Sequence, residues 1–123
     1  MKKLFFTLLA FVAANISLAQ APEAFKYQTV VRDGSQNIIA NQPIGVQIRI
    51  LQGGSSGTPV YTETHTGITN AYGLMNLEIG NGTVASGNFS AIAWSTQAPF
   101  FLEVSVDITG GTTYTLMGSS ELL

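Results

Sequence analysis

Apolar and polar residues alternate with a period of two along most of the chain. The clearest run follows Pro43, where Ile44, Val46, Ile48 and Ile50 fall on one side and Gly45, Gln47, Arg49 and Leu51 on the other. Such alternation predicts a half-buried strand, with the proline at its start, where it disturbs no ladder. Pro99 opens a second strong run. Phe100, Leu102, Val104, Val106 and Ile108 share one face, and Phe101, Glu103, Ser105 and Asp107 the other. Residues 25–32 read as the first strand, with Phe25, Tyr27, Thr29 and Val31 together. The stretch from Tyr61 to Gly82 reads as two strands joined by a turn, around which the others pair. Pro59 to His65 forms the third strand, Gly67 to Ala71 the turn, and Tyr72 to Ile79 the fourth strand, with Met75, Leu77 and Ile79 inward. Gly80-Asn81-Gly82 ends it. After a Gly110-Gly111 turn, Thr112 to Gly118 returns as the last of six strands.

The segments between these runs carry turn chemistry. Asp33-Gly34-Ser35-Gln36-Asn37 offers Asp-Gly for a positive φ, and Asn37 tolerates the same region. Gln52 to Thr58 is a Gly/Ser loop with no packing residues. Ser86 to Trp94 changes period: Phe89 and Ile92 stand three apart behind a Ser86 or Asn88 cap, which predicts one or two helical turns laid across an open end. Short, regularly spaced strands without a long amphipathic helix for crossovers predict an all-β, antiparallel β-sandwich rather than a parallel sheet.

The N-terminus has a different pattern. Lys2 and Lys3 precede an apolar run from Leu4 to Ile16, and Ser17-Leu18-Ala19 is a small-x-small cleavage site. This is the layout of a signal-peptide helix, residues 1–19, and the run falls short of the ~20 residues that span a bilayer. The expectation is a single mature domain over residues 20–123, exported to the periplasm, the cell surface or the medium, with no stable transmembrane anchor after cleavage. At 123 residues, the chain has room for one domain. It has no cysteine, one histidine and a formal net charge of −2. Disulfides, thiolate metal sites and multi-histidine sites are excluded, and nothing basic remains to neutralise a nucleic-acid backbone.

One cluster has the look of a reactive site. Tyr61, Glu63 and His65 alternate on one strand face, and a Glu-His pair can move protons near neutral pH. Neighbours two apart on an exposed strand are also an everyday solvent-side pattern, and no serine lies in a nucleophile context. Glu78, Glu103 and Asp107 sit on other outward faces, and nothing in their spacing makes them the paired carboxylates of a glycosidase. Asp33, Ser35 and Asn37 occupy the alternate positions that open a calcium loop, but no downstream bidentate carboxylate follows. Tyr61, Phe101 and Tyr72 are candidates for stacking on a sugar. Phe101 breaks a polar face, which fits a contact patch or a satellite core with Trp94 beneath the helical segment.

Residues 21–33 (APEAFKYQTVVRD), 40–51 (ANQPIGVQIRIL), 57–82, 88–94 (NFSAIAW) and 101–107 (FLEVSVD) together resemble a module common at the N-terminus of secreted proteins of Bacteroidetes-type bacteria. The resemblance implies a sandwich in the style of immunoglobulin-like, transthyretin-like and carboxypeptidase-regulatory domains, without agreed catalytic residues, cofactor or metal. That family runs on past Ser119 to Leu123 into a further short strand, so the chain reads as truncated at its C-terminus, with an unpaired sheet edge. The function implied is a non-enzymatic structural or surface module, the N-terminal part of a larger exported protein. Tyr61, Glu63, His65 and Phe101 are the residues to watch for ligand contact. The alternative reading is a carbohydrate-binding module using exposed aromatics, and the remotest a small hydrolase around Glu63 and His65. The partners these readings call for are a surface glycan or another protein at the open edge.

Overall fold

Strand β2 (Pro43–Gln52) is the spine of the molecule, because its alternation buries Ile44, Val46, Ile48 and Ile50 to within 1% of full burial. A computed structural model describes residues 24–96 and 99–122; the leader expected over residues 1–19 lies outside them. β2 is flanked by β3 (Thr58–Ile68) and β6 (Phe100–Asp107), both antiparallel to it. The edges of this five-stranded sheet are β5 (Thr83–Ser86), beside β3, and β7 (Thr115–Leu122), beside β6. A second sheet of two strands, β1 (Phe25–Val30) and β4 (Leu74–Ile79), completes an all-β antiparallel sandwich.

Pairing and burial agree along the core. Tyr27 opposes Leu77 and Thr29 opposes Met75 in the small sheet, while Val46 opposes Val106 and Ile48 opposes Val104 in the large one. Directly opposed residues share a face, so the apolar members of these pairs stack into one layer with Ile79 and Leu102. Full burial of each such aliphatic side chain stabilises by about 1.5–3 kcal/mol relative to exposure.

The expected helical segment is one 3₁₀ turn, Phe89–Ala91, with Asn88 as its cap: the Asn88 side chain accepts from Ser90 N–H. Phe89 closes one end of the sandwich. Its ring centroid lies 6.2 Å from Phe25 in the small sheet and 5.3 Å, edge-on, from Tyr61 in the large one. Trp94 packs between Phe89 at 5.9 Å and Phe100 at 5.0 Å.

Five expectations are corrected. Among the described residues seven strands form rather than six: β5 is added, four residues long and exposed throughout, so no alternation betrayed it. The third strand runs on to Ile68, and the turn after it spans Thr69–Gly73, where Asn70 Oδ1 accepts from Tyr72 and Leu74 N–H. Positive φ in the first turn falls on Gln36 (66°), not on Gly34 or Asn37, because Asp33 Oδ1 accepts from both Ser35 and Asn37 N–H and sets the turn shape. The last strand starts three residues later than expected and reaches Leu122, and Ile108, expected inside, lies past the end of β6 at 37% exposure.

Candidate functional site

Tyr61, Glu63 and His65 do share one face of β3, as their spacing predicts. The face expected to meet solvent is instead the inner one. Register explains the placement: these residues oppose Ile50, Ile48 and Val46, which form the centre of the core. The outer face of β3 carries Thr62 and Thr64.

Glu63 is fully buried. A bare carboxylate in such a place costs several kcal/mol unless it is hydrogen-bonded. Here Oε1 accepts from Gly80 N–H at 2.6 Å and Oε2 from Gly82 N–H at 2.5 Å. Both amides belong to the turn between β4 and β5. The turn is shaped to admit the carboxylate, since Gly80 has φ of 107° and a Cβ on Gly82 would overlap Glu63 Oε2, His65 Nε2 and the Thr64 carbonyl. Glycine at both positions is thus a requirement of close approach and backbone geometry.

His65 is 12% exposed, and its Nε2 lies 2.8 Å from Glu63 Oε2, a polar contact without the alignment of a hydrogen bond. The Tyr61 hydroxyl is buried without a partner. Burial raises the Tyr61 pKa above its ordinary value of 10.0, and the nearby negative charge of Glu63 adds to the rise. The hydroxyl therefore stays protonated through the physiological range. The row combines a carboxylate already taken by two backbone donors, a histidine at its flank and a phenol facing the Phe89 ring. It is built to hold a turn from inside.

The other candidates are dispersed. Phe101 is half-buried on the outer face of the large sheet, opposed by Leu51 and Glu121; the residue Trp94 covers is Phe100, on the opposite face. Tyr72 stands 73% exposed in the turn that Asn70 holds. Glu78 accepts from Asn81 Nδ2 on the small sheet, and Glu103 pairs with Arg49 at 2.9 Å on the large one. Asp107, 7% exposed, accepts from Thr109 N–H and Oγ1 and from Thr113 N–H. These bonds, led by the Thr109 hydroxyl, hold its pKa below the ordinary 3.8. Asp33 is lowered likewise, chiefly by Asn37 N–H. Among the described residues, no three His, Cys, Asp or Glu side chains come together as metal ligands.

Fold and site together define an antiparallel two-sheet sandwich whose acidic and amide side chains mostly serve its turns. The chain belongs to the family described as "Domain of unknown function (DUF8740)", whose sequence profile matches residues 26–119. No curated protein and no solved structure matches it.

Proposed function

We propose that this domain is a non-enzymatic, exported structural module, the N-terminal part of a larger secreted or cell-surface protein. Its mechanism is presentation: a stiff sandwich holds its loops, and the regions joined to it, at a distance from the cell. The observation that carries this reading is the use made of Glu63. The side chain best suited to proton transfer has both oxygens bonded to the backbone of its own fold and no exposed surface. A general base must come within reach of a substrate proton, and this carboxylate is fully buried and committed to the turn. The leader-like pattern of residues 1–19 supports export, and the similarity to modules of Bacteroidetes-type secreted proteins supports the surface role.

Cell fractionation with intact-mass analysis tests the reading. The expected product starts near Gln20 and lies outside the cytoplasm. A cytoplasmic product that keeps residues 1–19 overturns export. A turnover that His65→Ala abolishes while the fold persists overturns the non-enzymatic half.

A further inference from the structure

The four strand edges of the sandwich differ in how they are guarded against pairing. β5 is four residues long, with a register shift where it meets β3. β1 carries Lys26 and β4 carries Glu78. Short length, bulges and charge are the usual defences of an exposed edge. β7 has a register shift too, at Met117 against β6, but not the short length. It runs for eight residues, Thr115 to Leu122, seven of them exposed, and pairs only with β6 among the described residues. It has neither proline nor lysine, and its single charge is Glu121. Leu116, 60% exposed, and Met117, 37%, add apolar surface on the same strand, continued by Ile108 beyond the end of β6.

We propose that β7 is the interface of a homodimer, in which two copies pair β7 against β7 about a two-fold axis to make one continuous sheet of ten strands. The sequence of β7 suits a copy of itself. In a two-fold antiparallel register centred on Gly118 or Ser119, the central opposed residues are glycine and serine, which let the backbones approach. The two Glu121 carboxylates then stand at least four positions apart along the strands, roughly 13 Å at 3.3 Å per residue. A parallel, in-register pairing would set them face to face, which is destabilising. A net charge of −2 per chain adds little long-range repulsion. An eight-residue edge is small beside the roughly 1,600 Å² of a standard stable complex, so the dimer exchanges with monomer on dilution. The pairing does not depend on export or on a structural role, and its failure would leave that reading standing.

Sedimentation velocity over a dilution series of the full chain tests it. The expected result is a monomer–dimer equilibrium that Gly118→Lys weakens by about tenfold or more, as like charges meet across the axis. A Cβ at Gly118 meets no atom within 4 Å, so this variant keeps the fold, and far-UV circular dichroism checks that it does. Val84→Lys, on β5, should leave the equilibrium unchanged. Mixing Gly118→Lys with Gly118→Glu should restore a heterodimer, visible by native mass spectrometry. A chain monomeric at every concentration overturns the proposal, as does a dimer that Val84→Lys breaks and Gly118→Lys does not.

Discussion

Glu63 and Asp107 each hold a turn with a carboxylate, and they do it over different distances. Asp107 bonds to Thr109 and Thr113, two and six residues away, so the turn after β6 is held by its own neighbourhood. Glu63 reaches Gly80 and Gly82, 17 and 19 residues on, and does so from inside the core. The local arrangement survives small movements because donor and acceptor travel together. The long-range one ties three strands, β3, β4 and β5, to the position of one side chain. Removing the Glu63 carboxylate empties a fully buried site and frees the half-buried amides of a distant turn, whereas Thr109 and Thr113 beside Asp107 are exposed to solvent that can replace the lost bonds.

The contrast predicts an order of effects. Glu63→Ala takes the partner from two half-buried N–H groups and opens a cavity; the expected loss is about 3–4 kcal/mol in denaturant unfolding, with proteolysis beginning between residues 79 and 87. Gly82→Ala forces a methyl against backbone and carboxylate, at a cost of about 2–3 kcal/mol by the same measurement. If it proved neutral, the tight fit of the turn around Glu63 would be disproved. Asp107→Asn and Asp33→Asn should each cost less than either.

Those two variants also carry a pH signature. Both native carboxylates titrate below 3.8, so each contributes stability that is complete above the unfolded value and lost as pH falls through the folded one. The wild-type melting temperature should therefore fall on acidification below about pH 4, and Asp107→Asn should flatten that slope. Smallest of all is Arg49→Ala. Arg49 is 34% exposed in its pair with Glu103, so its removal should cost about 0.5 kcal/mol or less in thermal melts.

The same distinction between local and distant partners decides what the amino-acid pattern revealed. Ile44 to Ile50 and Leu102 to Val106 declared their strands and inner faces, since burial on one side of a strand writes itself as period two. Asn88 announced the 3₁₀ turn because a cap and its donor are neighbours. The inward aim of Glu63 was hidden, as it follows from pairing with Ile48 and from glycines far along the chain. A glutamate between threonines reads as solvent-facing until its opposite number is known. β5 was hidden for a different reason: Thr83 to Ser86 are exposed on every side and keep no periodicity. The division into five strands and two depends on Phe25 meeting Ile79, a pairing no local pattern encodes.

Trp94 is the chain's one tryptophan, and it rests on Phe100 and on the Phe89 ring that touches both sheets. Its fluorescence is therefore a built-in gauge of a single lid, the crossing between β5 and β6. If that lid lifts before the sheets separate, the emission change will precede the loss of strand signal, and a spectrometer will see the molecule open from one end.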